Sequence, residues 1–300
     1  MRVISIGKVL WDVFGEEEHL GGAPLNFAAH LGRLGHEVLF VSAVGNDARG
    51  DRVLARMAEM HLPPQYVSRN KKYATGTVTV TLASGGQPTF AIHRPAAYDF
   101  PRLTTAQLDA LLSIPPDWIY FGTLLQMSHD ARRLTMKLLS SSKHSEHFYD
   151  VNLRANSYDA ALVRDLLARA SVVKLNDVEV PEVSAIVGKR ASSLENFCRS
   201  YASAFGWKAV CVTTGAAGCV ALIGDEYVES AGYPVQVVDT VGAGDAFAAA
   251  LVHGLGEHWQ ARDIADFANR VGALVASRKG AIPNWTMDEV RALRKHGESA

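Results

Sequence analysis

Apolar positions along this chain keep two rhythms, and the change from one to the other marks its organisation. Residues 3–10 and 37–44 are near-continuous apolar runs, the first broken by Lys8 and followed at once by Trp11 and Asp12. Such runs predict strands buried on both faces, with Asp12 just past the end of the first. Between them Phe27, Leu31 and Leu34 recur at helical spacing and Gly35 supplies a stop. Val53, Leu54 and Met57 share one face of a helix expected at 49–60. From residue 104 onward helix and strand alternate, with helices predicted at 105–112, 129–141 and 158–170 and strands at 118–121, 147–151 and 172–175. Alternation of this kind implies parallel strands joined by crossover helices. Strands at 208–213, 219–223 and 234–238 follow, then helices at 246–255, 264–277 and 287–295.

The second rhythm has period two. Thr77, Thr79 and Thr81 alternate with Val78, Val80 and Leu82, ahead of a Ser84-Gly85-Gly86 turn and a partner strand at 90–93. This predicts a half-exposed hairpin standing off the main sheet. With residues 13–20 it would make a small lid interrupted by the first core segment; a plain hairpin at the core's edge is the other reading. The first of these readings divides the chain into an α/β core of residues 1–12, 21–74 and 95–300 and a discontinuous β-lid of 13–20 and 75–94.

Composition narrows the functional classes. The 300 residues are 48% hydrophobic with a formal net charge of −1, so a sizeable core is expected and no basic field for nucleic acid. No apolar run approaches the ~20 residues of a membrane span. Three cysteines, Cys198, Cys211 and Cys219, form no CxxC pair, suggesting neither a disulfide framework nor zinc. The expectation is a soluble, cytoplasmic protein that handles small molecules, without nucleic-acid or membrane partners. Neither G-x-x-x-x-G-K-[ST] nor the protein-kinase H-R-D and D-F-G motifs occur.

The sharpest chemical signal is Asp239-Thr240-Val241-Gly242-Ala243-Gly244-Asp245-Ala246-Phe247. It falls where the expected strand at 234–238 gives way to an Ala- and Leu-rich helix. Glycines there let the backbone approach a ligand, and the first-turn amides carry the positive end of the helix dipole. Asp245 in the same turn could take a proton from an attacking hydroxyl. Local physics serves a second reading equally well, in which Asp245 is an ordinary N-terminal helix carboxylate and the glycines are turn residues.

This stretch resembles, nearly letter for letter, the second signature of the PfkB/ribokinase family of sugar kinases, D-T-x-G-A-G-D. The resemblance implies that Asp245 is the catalytic base and that Gly242, Ala243 and Gly244 hold the transferring phosphate. Residues 20–35, with Gly21-Gly22-Ala23-Pro24 and Asn26, resemble the first signature. There the resemblance implies a di-glycine, Gly21 and Gly22, that bends when sugar binds, with Asn26 and Asp12 on sugar hydroxyls. On local grounds the two glycines would be a flexible turn and Asn26 an exposed first-turn residue. The Gly-Gly-Ala-Pro-x-Asn form is most similar to bacterial fructokinases.

Further loops follow the same resemblance. Asp150-Val151-Asn152-Leu153-Arg154 is similar to the D-x-N-x-R pattern of fructokinases and 2-keto-3-deoxygluconate kinases, making Arg154 a substrate or γ-phosphate contact; alone it is as readily a surface arginine. Asn176-Asp177-Val178-Glu179 resembles N-x-x-E, which implies Asn176 beside the nucleotide and Glu179 holding Mg²⁺ through water. By itself it could be a helix N-cap with an acidic first turn. Thr214, Gly215 and Gly218 resemble the loop that lies along the nucleotide, where a simple hairpin turn is the local alternative. The resemblance puts Asn269 on the adenine side; Arg94 on the lid strand is a candidate substrate contact that could serve an acid sugar. The resemblance, which covers nearly the whole chain, implies a ribokinase-like three-layer α/β core with a mainly parallel central sheet and a small β-lid. It further implies ATP with Mg²⁺, a monovalent cation (K⁺) near Asp239, and a homodimer formed through the lid. The activity implied is ATP-dependent sugar phosphorylation, with fructose favoured. The rivals are 2-keto-3-deoxygluconate and a non-catalytic sugar- or nucleotide-binding protein on the same fold.

Overall fold

Continuous apolar runs become strands buried on both faces. In Glu37–Gly45 every residue after Glu37 is buried, and in Val172–Asn176 and Ala209–Thr213 all but the last; strands covered on both sides have this composition. The structure, a computed structural model, describes residues 1–82, 88–154 and 157–295. It is mixed α/β with a large, mostly parallel sheet, and the chain divides into two compact units. One comprises Met1, Tyr120–Leu124 and Glu146–Ala300, the other Arg2–Ile119 and Leu125–Ser145.

In the unit that starts at Arg2, strands Arg2–Ile6, Glu37–Gly45 and Val67–Asn70 pair in parallel, with Ile4 opposite Leu39 and Ala43 opposite Ser68. A second sheet has the order Glu17–Gly21, Leu10–Phe14, Gly76–Leu82, Pro88–Ile92. The strand expected over 3–10 is therefore two strands in two sheets. The break comes at Gly7, whose missing side chain leaves the space occupied by the Pro24 ring and whose N–H donates to the Val41 carbonyl at 3.1 Å. Past it the chain leaves the first ladder, and Leu10 pairs with both Gly21 and Gly76. Asp12 consequently lies inside a strand, opposite His19 and Val78, and not beyond a strand end. The period-two segments pair antiparallel, Val78 with Ile92. The turn expected at 84–86 lies outside the described residues.

In the other unit Glu146–Asp150, Val172–Asn176 and Ala209–Thr213 run parallel, and Gly218–Ile223 and Glu226–Ala231 continue the ladder antiparallel. The strand expected at 234–238 does not form. The Val238 N–H donates instead to the Ala276 carbonyl at 2.9 Å, and Val237 and Val238 are 57% and 59% exposed. Helix Ala243–Gly256 thus starts from a loop. Its Ala-rich surface is buried at eight positions, and it packs on helix Ala261–Ala276.

One carboxylate ties the second sheet to its own unit. Asp47 caps helix Ala48–Glu59 through the Gly50 N–H (2.8 Å) and also accepts from the Thr75 N–H (2.8 Å) and hydroxyl (2.7 Å). Thr75 Oγ1 in turn accepts from the Gly45 N–H at 2.9 Å, one residue before strand Gly76–Leu82 begins. Partial burial pushes the Asp47 carboxyl up, but the bonds from Thr75 and Gly50 outweigh it and hold it below its usual value. Asp47→Ala should therefore cost about 1–3 kcal/mol at neutral pH. A depressed folded-state pKa contributes stability above the unfolded value and loses it as pH falls through the folded one. Urea midpoints of wild type and variant should thus differ at pH 7 and converge in acid; an undiminished gap in acid would contradict the assignment.

Candidate active site

The residues expected around the sugar lie in the unit that starts at Arg2. Asp12 turns its carboxylate over Gly21: a Cβ built on Gly21 would sit 2.7 Å from Asp12 Oδ2. Gly22 adopts φ 117°, and a Cβ there would lie 2.5 Å from the Lys8 carbonyl oxygen, so the fold itself requires glycine. Its carbonyl accepts the Asn26 N–H at 2.9 Å at the start of helix Ala23–Arg33. Asn26 is 3% exposed, so the surface reading of this residue is excluded. Arg94 forks onto Asp99, with Nη2 to Oδ1 at 2.5 Å and Nε to Oδ2 at 3.2 Å. Asp99 is buried and also accepts the Ala96 N–H at 3.0 Å.

The residues expected around the phosphates and nucleotide lie in the other unit. Gly242 has φ 81°, and a Cβ on it would come within 2.4 Å of the Ala281 carbonyl oxygen. Glycine is therefore obligatory there, and the turn it makes begins helix Ala243–Gly256. The amides of this turn are not equivalent. Ala243 N–H donates to Thr240 O at 3.3 Å and Asp245 N–H to Gly242 O at 3.1 Å. Those of Gly242 and Gly244 have no acceptor among the described residues, so they are the two donors the turn offers to an anion. Asp239 sets the approach by accepting the Val241 N–H (2.9 Å) and the Gly280 N–H (3.0 Å).

Behind this turn is a buried polar cluster. Lys174, in the middle of strand Val172–Asn176, is 7% exposed and donates to Asp150 Oδ1 at 3.1 Å. Tyr120 donates its hydroxyl to Asp150 Oδ2 at 2.9 Å. Burial alone would lower the Lys174 pKa, but the carboxylates of Asp150, Asp245 and Glu179 raise it above the usual lysine value, so the ammonium stays charged. A Cβ on Gly244 would lie 3.4 Å from Lys174 Nζ, placing that ammonium against the glycine face of the turn.

Glu179 completes the cluster. Its Oε2 accepts the Asn176 N–H (2.9 Å), while Asn176 Oδ1 accepts the Glu179 N–H (2.9 Å), a reciprocal box at the start of helix Glu179–Val187. Its Oε1 accepts the Leu153 N–H at 2.6 Å, so the same carboxylate holds the loop that carries Asn152, with φ 39°, and Arg154. Arg154 itself is exposed, and among the described residues its Nη1 reaches only the neighbouring Leu153 carbonyl, at 3.4 Å. Burial raises the Glu179 pKa, against the opposing bonds and the Lys174 charge.

Thr214 and Gly218 close the hairpin between Ala209–Thr213 and Gly218–Ile223, with Thr214 N–H on Gly218 O at 2.8 Å. Gly218 is required by its φ of 110° and by Ser230 O at 2.1 Å from a built Cβ; Gly215, at φ 60°, faces open space. Asn269 is buried and gives its amide to Ser230 O at 3.0 Å, holding the end of strand Glu226–Ala231. Lys174 and Tyr120 are the members of the site that sequence reasoning missed. The available signal was a charged residue inside the apolar run Val172-Val173-Lys174-Leu175.

Comparison with known proteins places this geometry. The model of the pfkB family of carbohydrate kinases matches residues 7–287. The fructokinase of Escherichia coli is 29% identical over 94% of this chain and 95% of its own. The crystal structure of a fructokinase from Vibrio cholerae O395, described with fructose, ADP and a calcium ion bound, superposes with a TM-score of 0.78 at 26% identity, covering 97% of this chain and 98% of that one. The 2-dehydro-3-deoxygluconokinase of Thermotoga maritima superposes with a TM-score of 0.85 at 18% identity, covering 97% of this chain and 98% of its own, a likeness of fold alone. With the family's model matching from Gly7 to Met287 across both sets of candidate residues, the chain belongs to the pfkB family of carbohydrate kinases.

Proposed function

We propose that this kinase transfers the γ-phosphoryl group of ATP to a hydroxyl of D-fructose. The observation that carries the reading is the 242–245 turn, which offers two amides without acceptors among the described residues, beside the carboxylate of Asp245. Asp12 and Asn26 hold sugar hydroxyls, and Arg154 and the Thr214–Gly218 hairpin serve the triphosphate and nucleotide. In the transfer the sugar oxygen forms its bond to the γ-phosphorus as the bond to the β–γ bridging oxygen breaks. The hydroxyl proton passes to Asp245, and ADP leaves with the electron pair of the broken bond. The amides of Gly242 and Gly244 stabilise charge on the phosphoryl oxygens during this step.

The residues present fit a hydrated divalent cation. Asp150, Asp245 and Glu179 act on the single ammonium of Lys174, and the Glu179 carboxylate is held rigidly by two backbone N–H groups with lone pairs to spare. Mg²⁺, when bound, neutralises charge on the phosphates; Glu179 would hold it through water. Asp239, whose carboxylate accepts two amides, is the place proposed for a monovalent cation. The second sheet, bearing Asp12 on Leu10–Phe14, is the proposed lid, and its face opposite Asp12 is the proposed homodimer contact.

Charge decides between fructose and an acid sugar in this reading. A carboxylate on the substrate would look to Arg94, yet that guanidinium is already forked onto buried Asp99. An acid sugar would have to displace a charge-assisted pair whose acid could not return to water, whereas a neutral ketohexose leaves it intact. D-fructose should therefore give the highest kcat/KM in a panel with ribose, adenosine, glucose and 2-keto-3-deoxygluconate. A lost hydroxyl contact worth roughly 1–3 kcal/mol should leave the next neutral sugar about tenfold or more behind. Preference for the acid sugar would overturn the choice of substrate and leave the transfer chemistry in place.

Two substitutions test the roles. Asp245→Asn keeps the shape of the turn and removes the proton acceptor, so turnover should fall about 10²–10⁴-fold with fructose affinity retained. Near-normal turnover would remove Asp245 from its role. Glu179→Gln should raise the Mg²⁺ concentration for half-maximal rate several-fold while changing stability by only about 1 kcal/mol, because losing one amide acceptor is offset by removing a buried charge. An unchanged Mg²⁺ requirement with a normal urea midpoint would reduce Glu179 to a helix cap.

A further inference from the structure

The cluster behind the 242–245 turn contains a charge that stability alone does not explain. Lys174 and Asp150 are 7% and 1% exposed, and a buried ion pair of this kind is generally no more stable than two well-packed neutral side chains. The pair faces each other across parallel strands, with Lys174 in register with Asp150, and the Tyr120 hydroxyl donates to the second oxygen of Asp150. One direct bond to Asp150, itself held by Tyr120, thus positions the ammonium.

Where it is positioned is informative. Gly242 must be glycine because of its φ and the Ala281 carbonyl, but no such constraint acts on Gly244. Gly244 has no positive φ, and the nearest atom to a built Cβ is Lys174 Nζ at 3.4 Å. A methyl group there would fit the fold and would cover the ammonium. The absent side chain leaves Lys174 facing the first turn of helix Ala243–Gly256, beside the amide of Gly244 and one residue from Asp245.

We propose that Lys174 is a positioning residue for phosphoryl transfer: its ammonium, clamped by Asp150 and Tyr120 against the open face of Gly244, backs the amides of the 242–245 turn with a full positive charge. It forms no bond in the reaction. A fixed charge behind preorganised amides favours the phosphoryl group most when negative charge spreads over its oxygens, and so acts on the transition state more than on bound nucleotide. The surrounding carboxylates of Asp150, Asp245 and Glu179 keep the ammonium charged. The inference rests on the kinase reading, and it goes beyond that reading by adding a residue outside the family signatures.

The test compares wild type with Lys174→Met and with the double variant Lys174→Met/Asp150→Asn. The double variant removes both charges and keeps an acceptor for Tyr120, so it should fold even where the single variant, with an unpaired buried Asp150, does not. In the double variant kcat should fall about 10–100-fold while the KM values for sugar and ATP stay within about threefold. A second readout needs no sugar: calorimetric affinity for ADP with Mg²⁺, with and without beryllium fluoride as a phosphoryl mimic. Wild type should gain affinity from the fluoride; the double variant should lose about tenfold or more of that gain while binding ADP alone as wild type does. Retention of kcat and of the fluoride gain would overturn the proposal, as would a loss appearing equally in ADP binding and the KM for ATP, or a wild type that shows no fluoride gain. A wild type that phosphorylates no sugar yet shows the fluoride effect, lost in the double variant, would overturn the substrate reading and support Lys174.

Discussion

Charge buried within and just beyond parallel strands is the constraint on which the unit that carries Asp245 depends. Asp150, Lys174 and Glu179 are each less than a tenth exposed, and none could remain charged there without fixed partners. The partners come from separate segments: Tyr120 from one strand, Asp150 and Lys174 from two neighbours, and the Leu153 and Asn176 amides from the loops that follow. Satisfying the charges therefore fixes the loops. The 150–154 and 176–179 segments are held by the same Glu179 carboxylate, so a change in one is felt in the other.

The fold was legible where one rule governed a segment. Helices Thr105–Leu112 and His129–Ser141 match the expected bounds because helical spacing and clear boundaries agree there. The run at 3–10 misled because hydrophobic character is the same in two strands of different sheets, and the divide at Gly7 is made by Pro24 and Val41, which are distant in sequence. The valines at 235, 237 and 238 favour strand locally, but Val238 spends its amide on Ala276 and the segment pairs with no strand. Strand Glu226–Ala231 escaped notice for the opposite reason: it ends the ladder, keeps only Val228 and Ser230 buried, and reads as polar.

The site divides in the same way. The glycine turn and Asp245 are contiguous, so their chemistry could be read from spacing. Lys174 could not, because a lysine in an apolar run acquires meaning only through its register with Asp150 on the adjacent strand. Glu179 was read as a metal anchor or a helix cap, and its geometry serves the cap directly while leaving lone pairs for a hydrated ion. Asn269, expected beside adenine, uses its amide group to hold the end of a strand.

The glycines of the two signature stretches are of two kinds, and the difference separates folding from chemistry. Gly22 and Gly242 have left-handed backbones, and a Cβ on either would strike a carbonyl, at 2.5 Å from Lys8 O and 2.4 Å from Ala281 O. These two are demanded by the path of the chain. Gly21 and Gly244 have no such backbone, and what a Cβ would meet first is a charged group: the Asp12 carboxylate at 2.7 Å in one case, the Lys174 ammonium at 3.4 Å in the other. Each signature thus pairs a glycine that shapes the turn with a neighbour that leaves a charge uncovered. A methyl group at the second kind of position would cost the fold little, since the nearest atom is the end of a side chain; what it would fill is the space in front of the charge.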